Sequence, residues 1–273
     1  MRRLFGKLIA VPIRLLALAV GFVHVGNPIP LWSTSWKLSR RSEDGCKLLA
    51  LVWSQYEIEP AREMAEKMIV ESKDSRLAAT VGFLEISYSK DFTAASMWVK
   101  KAKEIGCGNP EMLLQLELFL SEYLEEYDKD EIVEHVLSRN DLPGLATLSA
   151  LICKANALLK RRCWDEAEKI ANRILAIQEQ PDARIMKWVI CSVRGEQTKA
   201  DEHFKKAQGK LPDAVFNTIV AQGWLFLGRV DRAMERLCSA EPDGFVLQQC
   251  KSEIGDLVRS EEFKHFCRER ENK

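Results

Sequence analysis

The sequence carries no excess of charge of either sign. Its 273 residues include 40 lysines and arginines and 40 aspartates and glutamates, so the formal net charge is zero. Proteins that bind nucleic acid usually present a basic surface, because contacts with phosphates supply much of the binding energy. The balanced charge therefore argues against a nucleic-acid partner.

The sequence also lacks the residue groupings that catalytic and metal sites require. Its four histidines are scattered, without an acidic or thiol partner at catalytic spacing: His24, His135, His203 and His265. The acidic stretch over residues 122–134 lacks the alternating oxygen ligands and the central glycine of a calcium loop. No glycine-rich loop that would hold a phosphate is present. We therefore expect no catalytic site, no metal, no cofactor and no small-molecule substrate.

None of the eight cysteines forms a C-x-x-C pair, which argues against a zinc site. They are Cys46, Cys107, Cys153, Cys163, Cys191, Cys238, Cys250 and Cys267. Most lie among leucine, isoleucine and alanine, where a free cysteine behaves as a small buried hydrophobe. We therefore expect free thiols and a reducing compartment. A set of disulfides in an exported protein, or a reactive thiol, is the alternative.

Proline and glycine are scarce, with nine and 14 residues respectively. The rest of the chain is rich in leucine, alanine, glutamate and lysine, which lose little side-chain entropy in a helix. The composition therefore predicts an all-α fold.

A long apolar stretch covers residues 4–25 and contains Lys7, Pro12 and Arg14. It is long enough to cross a bilayer as a helix, although Arg14 near its middle offsets much of the apolar gain. A signal peptide, an amphipathic helix on the membrane surface and a helix packed on the protein's own core are the alternatives. We expect this segment to associate with a membrane as a signal anchor or transmembrane helix.

The segment after this stretch indicates a linker and a membrane interface. Residues 26–30 contain Pro28 and Pro30 and cannot continue a helix, so residues 1–31 are interpreted as anchor plus linker. Trp32 and Trp36 then precede three basic residues, an order typical of a helix that meets the interface. Because basic residues flank both ends, their distribution does not decide the orientation. We expect a cytoplasmic body, with a periplasmic or exported body as the alternative.

A Pro-Asp dipeptide recurs at nearly constant intervals. Pro181-Asp182, Pro212-Asp213 and Pro242-Asp243 are 31 and 30 residues apart, and each follows one helical segment and precedes the next. Proline cannot continue the preceding helix, but at the start of the next one its missing N–H costs nothing. Pro110 and Pro143 are expected to have the same role.

Alanine recurs in a second register, at spacings of 34, 37, 35, 33 and 33 residues if Ile132 fills one place. The series is Ala61, Ala95, Ile132, Ala167, Ala200 and Ala233. Apolar or small residues follow four and seven positions later, which lie on the same helix face. Two closely packed helices leave room for a methyl group but not for a larger side chain. The spacing therefore predicts paired helices that repeat every 33 to 37 residues.

A helix-turn-helix unit of this length, with alanines at these places, resembles the tetratricopeptide repeat (TPR). The closest match comprises Val220, Ala221, Trp224, Gly228, Val230, Ala233, Leu237 and Ala240. The resemblance covers residues 45–243 and implies a right-handed α-solenoid of about six hairpins. Their expected bounds are 45–74, 75–109, 110–142, 143–180, 181–211 and 212–241. Residues 244–273 are expected to form a capping helix that covers the last apolar face.

The resemblance also implies that residues on the first helix of each unit bind a protein or peptide partner. In this sequence they include Lys154, Lys187, Asn217 and Gln222. The leading hypothesis is a membrane-associated scaffold or adaptor that holds its partner on the concave face. A structural subunit of an envelope or secretion assembly would instead present a long apolar patch on the convex side. An enzyme would need a buried polar cluster that the sequence does not reveal.

Overall fold

The chain is helical throughout the part that the structure describes. A computed structural model describes residues 29–39, 41–55, 57–106, 110–139, 144–239 and 252–271, and within these ranges every regular element is a helix. The all-α class expected from the composition is confirmed. The chain divides into two compact units, Met1–Leu120 and Ser121–Lys273, here called unit 1 and unit 2.

The helices follow one another with short connections. Unit 1 contains α1 (Ile29–Ser39), α2 (Ser42–Gln55), α3 (Ile58–Ser72), α4 (Ser75–Leu84), a π-helical turn (Glu85–Ser89), α5 (Phe92–Ile105) and α6 (Pro110–Leu120). Unit 2 contains α7 (Lys129–Ser138), α8 (Leu145–Lys160), α9 (Trp164–Ile177), α10 (Pro181–Val193), α11 (Gln197–Ala207), α12 (Asp213–Phe226), α13 (Val230–Ser239), α14 (Glu253–Arg259) and α15 (Glu261–Glu271). Three residues separate α8 from α9, α10 from α11 and α12 from α13, so each pair reverses direction in a tight turn.

Prolines begin helices at several of the predicted places. Pro110 and Pro181 are the first residues of α6 and α10, and Pro212 is the N-cap of α12. These are sites where a proline costs no helical hydrogen bond. Pro143 and the dipeptide at 242–243 lie outside the described residues.

The alanines of the predicted register are fully buried on the second helix of each pair. Ala61, Ala95, Ala167, Ala200 and Ala233 have no exposed surface. The positions four and seven residues later are buried in α3, α5 and α9 as well: Ala65, Met68, Val99, Ala102, Ala171 and Ile174. The helix face predicted from the spacing is confirmed in these three helices.

The prediction for Ile132 is wrong. Ile132 is partly exposed, whereas Val133 and Val136 are buried. The first buried position of α7 therefore lies one residue later in the sequence than the spacing predicts. The start of α7 is set by Asp128, whose carboxylate accepts a hydrogen bond from the backbone N–H of Glu131. The N-cap lies four residues before Ile132, as Asp91 lies four residues before Ala95, so the shift comes from the packing of α7 and not from its starting residue.

Unit 2 has a continuous apolar core beneath α8, α9, α10, α11 and α12. Trp188 of α10 lies at its centre and contacts Phe204 and Trp224 edge to face, with ring centroids 5.4 and 4.8 Å away. Gly223 allows α12 to approach this ring, because a Cβ atom there would lie 2.7 Å from an atom of Trp188. The core also sets the positions of α8, α10 and α12, because α10 contacts both α8 and α12.

The C-terminal helices pack on the last described hairpin. Helix α14 contacts α12, and α15 contacts α13. Ile254, Val258 and Phe263 are buried there among residues of α12 and α13. A disulfide between Cys238 and Cys267 joins α13 to α15.

The expectation of free cysteines is therefore wrong for this pair. Packing of α15 against α13 brings together two thiols that lie 29 residues apart in the sequence. Four other described cysteines are free: Cys46, Cys153, Cys163 and Cys191. Cys107 and Cys250 lie outside the described residues.

Part of the predicted linker is helical. Ile29 and Pro30 begin α1, which is possible because the first turn of a helix tolerates proline. Trp36 is buried and lies near Gly45 of α2, so it is a core residue rather than an interfacial one. The apolar stretch at 4–25 lies outside the described residues. Among the helices that the structure describes, none is both long enough and apolar enough to span a bilayer.

Candidate functional site

A groove of about 650 Å³ runs along unit 2. Its walls come from α7, from the second half of α8, from the end of α12 and from the start of α14, and it is here called the charged groove. Gln222 and Phe226 of α12 lie opposite Asn156 and Ala157 of α8 in its lining. The groove is therefore built largely from first helices of hairpins, α8 and α12, joined by the C-terminal segment.

The charged side chains of this groove are paired with one another. Four acidic and four basic residues line it, and each acid has a basic partner. The pairs are Lys129 with Glu122, Lys154 with Glu134 (2.8 Å), Lys160 with Glu253 (3.1 Å) and Arg161 with Asp130 (3.7 Å). The walls are thus polar but without net charge.

A smaller pocket of about 170 Å³ adjoins the groove and is here called the apolar pocket. Its lining comes from α8, α10, α12 and α14: Asn156, Leu159, Asp182, Ile185, Met186, Val189, Thr218, Ile219, Gln222, Gly223, Phe226 and Ile254. Asn156, Gln222 and Phe226 also line the charged groove, so the two concavities are continuous. An extended segment in the groove could therefore place one side chain in the pocket.

Asp182 is the ionisable residue of the apolar pocket. It lies in the first turn of α10, and burial raises the pKa of its carboxyl group above the ordinary value. Among the described residues, no cationic side chain forms an ion pair with it. The pocket therefore contains a carboxylate whose charge is not compensated by a described neighbour.

Cys153 lies in the wall of the charged groove, close enough to Asp182 to be affected by its charge. Burial raises the pKa of the Cys153 thiol to about 11. The thiol is therefore protonated at neutral pH, and a protonated thiol is a poor nucleophile and a poor metal ligand.

Two of the four predicted partner-binding residues lie in this region. Lys154 lines the charged groove, where it is paired with Glu134, and Gln222 lines both concavities. The structure brings these two together through α8 and α12. Their role in binding stays a prediction.

The other two predicted residues lie between helices and make contacts within the chain. Lys187 of α10 donates to Glu168 and Asn172 of α9, at 2.7 and 3.0 Å. Asn217 of α12 accepts a hydrogen bond from Arg236 of α13, at 3.4 Å. Both residues link neighbouring helices, and neither lines the charged groove or the apolar pocket.

A third concavity, of about 470 Å³, is lined by Trp224, Arg229, Arg232, Glu235 and Arg236. Its three arginines have partners within the chain. Arg229 pairs with Asp231 at 3.0 Å, Arg232 pairs with Glu235 at 3.1 Å, and Arg236 donates to Asn217. The positive charge is therefore partly neutralised, and the concavity is a weaker candidate site than the apolar pocket.

Sequence reasoning missed Asp182 as a site residue. The Pro181-Asp182 dipeptide predicts a helix start, and α10 does begin there. The same dipeptide at 212–213 leaves Asp213 exposed, so the motif does not distinguish a partly buried carboxylate in a pocket from a solvated one. A usable signal was the apolar sequence after Asp182, which predicts a helix buried on several sides.

Within the described ranges, no three residues among histidine, cysteine, aspartate and glutamate are grouped so that they could hold a metal ion. The ionisable residues of the charged groove form ion pairs instead. The arrangement that the structure offers is a surface for binding another molecule by shape, apolar contact and hydrogen bonds.

A scan against models of protein families finds no match for this chain, and a search of curated proteins finds none either. The resemblance to the TPR class therefore stays a prediction from residue spacing. What the chain binds has to be inferred from the chemistry of the charged groove and the apolar pocket.

Proposed function

We propose that this protein is a membrane-associated adaptor that binds an extended segment of a protein partner in unit 2. The segment lies in the charged groove and places one side chain in the apolar pocket. The N-terminal apolar stretch at residues 4–25 attaches the chain to a membrane. The disulfide between Cys238 and Cys267 supports the alternative of a periplasmic or exported body over a cytoplasmic one.

The observation that carries this proposal is a continuous concavity along consecutive first helices. Residues of α8, α10 and α12 line it, with apolar side chains in the pocket and paired charges in the groove. Sites of this composition bind by burying apolar groups, while a few polar groups set the orientation. Asn156 and Gln222 provide amide groups that can bond to the backbone of a bound segment.

We further propose that the hairpins form a TPR-like right-handed solenoid. The 33-residue spacings of the alanines in unit 2 support it. So do the contacts of α10, which packs against its own partner α11, the preceding α9, and the neighbouring first helices α8 and α12. In a repeat array each unit contacts only its neighbours. The last first helix, α12, contacts α14, which supports the capping role of the C-terminal segment.

The alternative function is a structural subunit of an envelope or secretion assembly. That alternative calls for a long apolar patch. The large apolar side chains that are exposed in the described part of the chain are distributed over helices from α3 to α13: Ile58, Val70, Tyr88, Met97, Phe119, Leu145, Ile177, Val193, Val215 and Val230. The continuous concavity of unit 2 is the observation that favours the adaptor over this alternative.

Site-specific photocrosslinking in cells tests the proposal. A photoreactive amino acid at Gln222 lies in the site, whereas the same amino acid at Lys205 lies on an exposed part of α11. We expect a defined crosslinked partner from position 222 but not from position 205, and loss of that partner when Phe226 is changed to alanine. Equal crosslinking from both positions would contradict a binding site in the groove.

A further inference from the structure

We propose that the apolar pocket selects partners that present a lysine or arginine side chain next to apolar residues, and that Asp182 receives the cationic group. This inference rests on the proposed function, because it assumes that a partner segment enters the groove. It adds the chemistry that determines which segment binds.

Charge complementarity supports a cationic group. The four acidic residues of the charged groove each have a basic partner, so the walls attract neither cations nor anions on balance. Asp182 has no such partner among the described residues, and it lies partly buried in a pocket lined mostly by apolar side chains. An uncompensated carboxylate in an apolar environment is costly, and an entering cation removes that cost while forming a charge-assisted hydrogen bond.

The size and lining of the pocket fit one long basic side chain. At about 170 Å³ it is smaller than a typical small-molecule site of roughly 300–1,000 Å³. Lysine and arginine have apolar stems that pack well along aliphatic surface, here Ile185, Met186 and Val189. Met186 is flexible enough to adapt to either stem.

A simpler role for Asp182 is stabilisation of the start of α10. An acidic residue in the first turn of a helix interacts favourably with the helix dipole. However, that effect does not require burial. Asp213 follows a proline at the start of α12 in the same way and is exposed to solvent. The partial burial of Asp182 in the lining of a pocket is thus a feature that the helix start does not explain, and Asp213 provides a matched control.

The test uses a randomised nine-residue peptide library displayed on phage and selected against the full-length chain in mild detergent. We expect the selected peptides to contain a lysine or arginine flanked by apolar residues. For a synthetic selected peptide, Asp182→Asn should weaken binding at least tenfold, whereas Asp213→Asn should change it less than twofold. Replacing the basic residue of the peptide with methionine should weaken its binding to the wild type by a similar factor. The same replacement should weaken its binding to the Asp182→Asn variant little further.

Thermal melting of each variant checks folding, and Asp182→Asn is expected to melt no lower than the wild type, because it removes a partly buried charge without an ion-pair partner. Crosslinking of the same peptide from position 222 separates the two proposals. If the peptide crosslinks there but binds Asp182→Asn and the wild type equally, the role of Asp182 is overturned and the groove remains the binding site. If no selected peptide crosslinks from position 222, both proposals are overturned. If the selected peptides crosslink from position 222 but contain acidic residues in place of a lysine or arginine, the role of Asp182 is also overturned.

Discussion

At the scale of single residues, Asp182 makes the stability of unit 2 depend on pH. Burial raises the pKa of its carboxyl group above the ordinary value of 3.8. Between that value and the raised pKa, the folded protein binds more protons than the unfolded chain. The contribution of Asp182 to the free energy of unfolding therefore falls as the pH rises through this window. Above the raised pKa, this contribution is at its most unfavourable.

Asp182→Asn should remove this contribution. We expect the variant to be more stable than the wild type at neutral pH and the difference to shrink as the pH is lowered toward about 4. Urea denaturation at several pH values between these limits measures the effect. Asp213→Asn is the control and should follow the wild type. A difference between Asp182→Asn and the wild type that does not change with pH would contradict the assigned cause.

The pair formed by Arg62 and Glu85 is a second feature of single residues, in unit 1. The Glu85 side chain is fully buried on the π-helical turn and accepts hydrogen bonds from Arg62 Nε and Nη2, at 2.6 and 2.8 Å. Arg62 Nη2 also donates to Asp91 at 2.9 Å. Removing one partner of a buried pair leaves an uncompensated charge in the interior.

Arg62→Ala should therefore lower the free energy of unfolding by about 3–5 kcal/mol. Lys264→Ala removes one partner of an exposed pair, Lys264 with Glu261, and should cost no more than about 1 kcal/mol. Chemical denaturation of both variants at neutral pH provides the comparison. Similar losses in the two variants would show that burial of Glu85 has little energetic consequence.

At the scale of secondary-structure elements, alanine permits the helices to approach one another. Ala167 of α9 is fully buried in the core of unit 2, whereas Ala176 of the same helix is exposed. Ala167→Leu should lower the free energy of unfolding by about 1–3 kcal/mol, because a leucine side chain overpacks the contact. Ala176→Leu should change it by less than about 0.5 kcal/mol. Urea denaturation of the two variants measures both changes in the free energy of unfolding. The same substitution is made in the same helix, so the comparison isolates the effect of burial.

The disulfide gives the C-terminal helices a second attachment besides apolar packing. Cys238 and Cys267 close a loop of 29 residues between α13 and α15. Cross-linking a loop of this length removes entropy from the unfolded chain that corresponds to about 3 kcal/mol. The cap therefore depends on a covalent bond as well as on Ile254, Val258 and Phe263.

Replacing Cys238 and Cys267 together with serine should lower the stability of unit 2 by about 3 kcal/mol and expose α14 and α15 to proteases. Limited proteolysis followed by mass spectrometry locates the cuts. Cys163→Ser, at a free cysteine, is the control and should leave these helices protected. Unchanged protection in the double variant would mean that packing alone holds the cap.

At the scale of the whole molecule, the N-terminal stretch and the groove are expected to act independently. A deletion of residues 1–28 removes no residue of the described helices, the first of which begins at Ile29. We expect the shortened chain to move from the membrane fraction to the soluble fraction, to keep its helical circular dichroism and to retain crosslinking at position 222. Loss of helical signal would place the stretch in the core instead of the membrane. Recovery of the full-length chain in the soluble fraction after gentle lysis would contradict the membrane association.

Much of the architecture followed from residue spacing. The buried alanines at 61, 95, 167, 200 and 233, the helix starts at Pro110 and Pro181, and the all-α class were predictable, because helix propensity and the period of 3.6 residues are local properties. The error at Ile132 has no such local cause, because Asp128 caps α7 at the same offset at which Asp91 caps α5, where the register holds. Gln222 and Lys154 were reached only through the family resemblance.

What only the tertiary structure decided is which polar residues face a shared cavity and which thiols meet. Asp182 and Asp213 both follow a proline at a helix start, yet Asp182 is partly buried in the lining of the apolar pocket and Asp213 is exposed to solvent. Cys238 and Cys267 approach each other because α15 packs back on α13. The sequence alone determined the helices and their buried faces. The environment of each side chain depends on contacts between residues distant in the chain, and no local pattern encodes them.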